Sequence, residues 1–180
     1  KRLRTLNIAN NILSSLPTEF YALSTLQHLD ISNNRLTGIS EQFSTLTNLR
    51  TLNLSGCQLD ALPPALKELN NLEEVVCADN NIQKLPAWIS KHQNIRILDP
   101  QNNRITEIPS TINSLINLDS LCLKGNSGLR KLHKKNNVLN FHPSEIPAQY
   151  EGLQTLLCDQ TLNSIEHHLQ ELGLTWYCRP

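Results

Sequence analysis

Leu26-Gln27-His28-Leu29-Asp30-Ile31-Ser32-Asn33-Asn34-Arg35-Leu36 decides the architecture. Leu29 and Ile31 alternate with His28, Asp30 and Ser32, so a short extended segment turns its aliphatics to one side and its polar residues to the other. Asn34 follows, with a short polar side chain that can bond the backbone of a tight turn. Eleven residues bury nothing by themselves. The segment recurs, however: Leu3, Leu26, Leu49, Leu72, Ile95 and Leu118 stand 23 residues apart.

Behind each start comes the same order of residues. Leu3, Leu6, Ile8, Asn11 and Leu13 form the first copy, and Leu49, Leu52, Leu54, Cys57 and Leu59 the third. The fourth has Leu72, Val75, Cys77, Asn80 and Ile82, and the fifth Ile95, Leu98, Pro100, Asn103 and Ile105. A sixth opens with Leu118, Leu121, Leu123 and Asn126 and then departs. The second halves repeat too. Leu16-Pro17, Leu62-Pro63, Leu85-Pro86 and Ile108-Pro109 share one phase, held without proline by Ile39-Ser40. Phe20, Phe43, Leu66, Ile89 and Ile112 follow, then Leu23, Leu46, Leu69 and Leu115. A unit that cannot close its own core must stack on its neighbours and share one.

This pattern resembles the leucine-rich repeat family, in its 23-residue, Ras-suppressor-like class, whose repeats also occur in intracellular bacterial effectors. The resemblance is strong over residues 3–126 and weak over 127–180. It implies an α/β leucine-rich repeat solenoid: a curved horseshoe segment with short parallel strands on the concave face, short helical or 3-10 turns on the convex face, and a C-terminal capping helix. It further implies that the recurring Asn forms a buried ladder between turns, with Cys57 a tolerated substitute. Independently, the proline after each Leu fixes the chain as it enters the outer segment.

Two copies carry local defects. Pro100 offers no donor to a parallel neighbour, and a bent strand is expected there. His92 stands where the other copies have leucine, and is expected to be half-buried and bonded to backbone.

One leucine-rich repeat domain is expected over 1–180. Regular repeats occupy 3–25, 26–48, 49–71, 72–94 and 95–117, an irregular long repeat 118–152, and a degenerate repeat with the cap 153–180. Leu153, Leu156 and Cys158 restore the strand pattern 35 residues after Leu118, so the sixth unit is 12 residues long in excess. Its insert holds a basic patch of Arg130, Lys131, His133, Lys134 and Lys135, a secondary candidate for binding because insertions in solenoids often serve that purpose. Asn163 and Glu166 have capping-box spacing, Ile165, Leu169 and Leu172 follow at helical spacing, and Gly173 suits a helix stop. Trp176 is expected to cover the last core layer. Lys1-Arg2-Leu3 opens inside a repeat, so a fragment lacking an N-terminal cap or upstream repeats is expected.

Composition narrows the function. The chain has 33 Leu, 14 Ile and 21 Asn in 180 residues, with 16 Lys plus Arg balanced by 16 Asp plus Glu. Zero net charge argues against a nucleic-acid partner, and no apolar run is long enough to span a membrane. Five cysteines at irregular spacing fit a reducing compartment, and a cytoplasmic location is expected, in the host cytosol if the chain is an effector. Cys77 and Cys158 fall at inward positions, Cys57 in the ladder, and Cys122 and Cys178 on the surface. Asn53-Leu54-Ser55 matches a glycosylation acceptor, which the repeat itself explains. No phosphate loop, metal-ligand set or nucleophile with a base is found: Cys158-Asp159 lacks a base and His167-His168 diverge on a helix. No enzyme, no cofactor and no metal are expected.

The outward columns of the strand face remain. Thr5, His28, Thr51, Glu74, Ile97 and Ser120 form one; Asn7, Asp30, Asn53, Val76, Asp99 and Cys122 the next; Ala9, Ser32, Ser55, Ala78, Gln101 and Lys124 the third. Val76 and Ile97 are exposed aliphatics ringed by His28, Asp30, Glu74 and Asp99, which gives an apolar centre with a polar rim. Trp88 belongs to the convex side. The expected function is a non-enzymatic protein-protein interaction module, a monomer binding through His28, Asp30, Asn53, Glu74, Val76, Ile97, Asp99, Gln101, Cys122 and Lys124. The alternatives are the target-recognition part of a bacterial effector or ubiquitin-ligase adaptor whose active domain lies outside the chain, and a structural spacer.

Overall fold

The computed structural model describes residues 2–36, 38–127 and 155–157. Seven three-residue strands follow one another in a single parallel sheet: β1 Thr5–Asn7, β2 His28–Asp30, β3 Thr51–Asn53, β4 Glu74–Val76, β5 Ile97–Asp99, β6 Ser120–Cys122 and β7 Thr155–Leu157. Their spatial order is their chain order. Thr5 stands beside His28, His28 beside Thr51, Thr51 beside Glu74, Glu74 beside Ile97 and Ile97 beside Ser120. Those are the 23-residue steps of the sequence converted into inter-strand register. β6 pairs with β7 through Ser120 and Thr155, a step of 35 residues.

Between strands the chain returns through five-residue 3-10 helices at Thr18–Ala22, Glu41–Thr45, Pro64–Glu68, Ala87–Lys91 and Ser110–Ser114. Pro17, Pro63, Pro86 and Pro109 precede four of them, each with the extended ψ that lets the following residues turn. Ser40 precedes the fifth and does by side chain what proline does by ring, its hydroxyl accepting from the Gln42 amide at 3.2 Å. One continuous core lies between sheet and 3-10 helices. It contains the inward Leu29, Leu52, Val75, Leu98 and Leu121, and the outer-segment Phe43, Leu66, Ile89 and Ile112.

Backbone polarity is settled by asparagines. Asn80 makes five bonds: its Oδ1 accepts from the Cys57 and Leu59 amides at 3.0 and 2.9 Å, and its Nδ2 donates to the Leu54, Cys77 and Ala78 carbonyls at 2.9–3.0 Å. Asn34, Asn103 and Asn126 repeat the arrangement. Cys57 keeps only part of it, its thiol donating to the Ile31 carbonyl at 3.2 Å. The residue one place ahead of each ladder position turns the chain through positive φ: Asn10, Asn33, Gly56, Asp79, Asn102 and Gly125 lie between 52° and 75°. Asn, Asp and Gly are the residue types that accept that conformation.

Both expected defects are milder in one respect and firmer in another. At Pro100 the hydrogen bond that the Cys77 amide donates to the Asp99 carbonyl at 2.8 Å has no counterpart, and β5 pairs with β6 at two positions instead of three. Pairing then resumes in unchanged register, Asn102 bonding Lys124 at 2.7 Å, so the imide removes one bond without displacing the strand. His92 is fully buried, not half-buried. Its Nε2 bonds the Leu66 carbonyl at 2.9 Å, its ring lies 5.6 Å from that of Trp88, and its Nδ1 has no partner.

Candidate functional site

Since every strand is three residues long and in register, the outward positions form straight columns across β1–β6. Columns led by Thr5 and Asn7 line a shallow concavity of about 230 Å³ reaching from Thr5 to Val76. A second, of about 370 Å³, continues through Thr51, Glu74, Arg96, Ile97 and Ser120. Glu74 lines both.

The column led by Asn7 has a structural task that its composition conceals. The side-chain oxygen of Asn7, Asp30, Asn53 and Asp99 accepts the amide two residues on, at 2.9–3.1 Å. Each thereby closes an Asx turn at the end of its strand. Asp30 and Asn53 also accept the hydroxyls of Ser32 and Ser55, at 2.6 and 2.8 Å. These residues are therefore half committed to the fold: both Asp30 carboxylate oxygens are engaged, Oδ2 accepting from the Asn7 side-chain amide at 3.4 Å, while Asp99 uses Oδ1 for its turn. Burial pushes the Asp99 carboxyl above the usual range; the Gln101 amide opposes this, and the negative charges of Asp79 and Glu74 add to it. His28 is likewise engaged, its Nδ1 lying 2.9 Å from the Thr51 hydroxyl.

Ile97 is 36% exposed and Val76 half-buried, so the aliphatic patch is real but one of its two members is less open than its position suggests. Gln101 and Lys124 flank it beyond the strand ends, both half-buried. Cys122 corrects an expectation. It is buried, 8% exposed, on a strand flanked by β5 and β7. Arg130, Lys131, His133, Lys134 and Lys135, like the expected capping helix, lie outside the described residues.

A family model described as leucine rich repeat matches residues 1–59. Among solved structures, a leucine-rich repeat protein of Leptospira interrogans is 31% identical with a TM-score of 0.64, covering 68% of this chain and 31% of that one. The chain belongs to the leucine-rich repeat family. An internalin of Listeria monocytogenes shares the fold at 18% identity and a TM-score of 0.65, over 87% of this chain and 47% of that one. A chain of the Drosophila Toll–Spatzle complex is similar at 26% identity and a TM-score of 0.61, over 67% of this chain and 18% of that one. The chain thus spans less than half the length of each. No curated protein sequence matches it.

Leucine-rich repeats are generally protein-interaction modules, and typically scaffolds without catalysis. Among the described residues no group of His, Cys, Asp or Glu is arranged to hold a metal, and no helix is long and apolar enough to cross a membrane. Two columns escaped the reading of the sequence, although both obey its period. Arg4, Gln27, Arg50, Glu73, Arg96 and Asp119 border the strand face, where Arg50 pairs with Glu73 and Arg96 with Asp119. Asn48, Asn71, Asn94 and Asn117 each donate to a carbonyl of the preceding repeat at 2.7–3.0 Å, a second asparagine ladder at the entry to the strands.

Proposed function

We propose that this leucine-rich repeat protein binds a protein partner on its sheet face, across β3–β5. The observation that supports this most is Ile97, an aliphatic side chain held open in the middle of a polar sheet face, with the half-buried Val76 on the neighbouring strand. The backbone beneath it is fixed by parallel pairing and the asparagine ladder, so the surface is presented without a large ordering cost. A cytoplasmic setting belongs to this reading because five irregularly spaced cysteines fit a reducing compartment.

The test is a crosslinking capture from cytosolic lysate, comparing the chain with a Val76→Asp, Ile97→Asp double variant of matched thermal stability. Aspartate is accommodated at position 76, since Asp30 and Asp99 occupy the same column. Partners captured only by the unaltered chain support the sheet face. Equal capture by both sinks it.

A further inference from the structure

Register sets four side chains of β4 and β5 at the corners of one square. Glu74 stands beside Ile97, and Val76 beside Asp99. Neighbouring strands are about 5 Å apart and alternate residues about 7 Å apart along a strand, so all four corners fall within the span of one long side chain. The aliphatics occupy one diagonal and the carboxylates the other. Neither carboxylate has an ion-pair partner among the described residues, while Arg50 and Arg96 are turned to Glu73 and Asp119 at the border of the face. Asp99 is partly withdrawn from water beside Glu74 and Asp79, so three carboxylates share this part of the face.

We propose that the square receives an arginine or lysine side chain projecting from the partner. Its methylene stem crosses Val76 and Ile97, and its cationic head lies between the carboxylates of Glu74 and Asp99. Only these two side chains combine an aliphatic stem with a positive end, so a single residue satisfies both diagonals. An acidic segment is repelled, and a purely aliphatic one leaves the two carboxylates covered and unpaired, which is costly. This rests on the sheet-face reading above and adds the chemistry of what binds.

The probe is a phage-displayed library of random short peptides, selected in parallel on the unaltered chain, on Glu74→Gln, Asp99→Asn, and on Val76→Asp, Ile97→Asp. Asparagine at 99 retains the Asx turn, as Asn7 and Asn53 show in the same column. The expected result is enrichment of Arg or Lys on the unaltered chain. A representative selected peptide should lose affinity about tenfold on Glu74→Gln, Asp99→Asn, and weaken with rising salt. Enrichment without a cationic bias, indifferent to Glu74→Gln, Asp99→Asn but lost on Val76→Asp, Ile97→Asp, overturns this inference and leaves sheet-face binding standing. Enrichment indifferent to both variants overturns both readings. No enrichment on the unaltered chain overturns the inference as well.

Discussion

Replacing His92 with leucine should make the protein more stable. The ring is fully buried at a position that is Leu23, Leu46, Leu69 and Leu115 in other repeats, and its Nδ1 meets no partner. A buried polar atom without a partner costs about 1–3 kcal/mol. Against that, leucine forfeits the Nε2 bond to the Leu66 carbonyl, about 0.5–1.5 kcal/mol. That carbonyl is not orphaned, because it also accepts the Leu69 amide at 3.0 Å. The ring contact with Trp88 is lost, but leucine adds apolar surface in a fully enclosed site, and these two effects roughly cancel. The net expectation is a gain of about 1 kcal/mol, or a rise in Tm of about 2–4 °C for a chain of this size. Urea unfolding followed by circular dichroism measures it, with an unchanged m-value required for the comparison. A loss of about 1 kcal/mol or more would refute the reasoning, since it would mean that Nδ1 is satisfied and that the polarity of this layer is stabilising.

Asn80→Ala removes five bonds to three stretches of backbone and should cost about 3–5 kcal/mol, measured by the same unfolding curves. Gly125→Ala should cost about 2 kcal/mol: φ is +75°, and a Cβ would run into the Asn102 side-chain oxygen and lie 2.9 Å from its Cα, which cannot swing away. Asp99→Asn should raise Tm at neutral pH. The folded carboxyl titrates above its unfolded value, so its ionised form opposes folding above the folded pKa. That penalty, and with it the advantage of the variant, should fade as pH falls through the folded value toward the unfolded one near about 4. Tm measured across that range checks the slope, and an advantage that grows on acidification contradicts the assignment.

The path of the backbone was legible because a fixed spacing carries over directly into register. Leu6, Leu29, Leu52, Val75, Leu98 and Leu121 stand side by side in the sheet because each lies one period from the next. The same spacing fixes the columns of the sheet face. Degree of burial was harder to read, because it depends on neighbours that periodicity does not specify. Cys122 reads as an outward residue, yet it is buried, on a strand whose next neighbour β7 comes only after a 35-residue step. His92 reads as a compromise between polarity and a core position, and the core position prevails because the adjoining turn supplies a carbonyl acceptor. The acids of the Asn7 column look like recognition groups, but a period-aware reading of Asn, Asp, Asn and Asp at that phase identifies them first as turn formers. The ion pairs at the border are harder to read, because only Arg50 with Glu73 and Arg96 with Asp119 bring opposite charges together at a phase that otherwise holds Arg4 and Gln27.

The ladder asparagines reach backward only. Asn80 satisfies the amides of Cys57 and Leu59 and the carbonyl of Leu54, all in the repeat before its own, and Asn103 does the same for Ile82 and Cys77. Each layer therefore leaves polar groups that only its successor completes. During synthesis, a newly emerged repeat stays unfinished until the next one has left the ribosome, so maturation trails the growing chain by one period. A cut or stall within any repeat exposes the raw backbone of the layer already made.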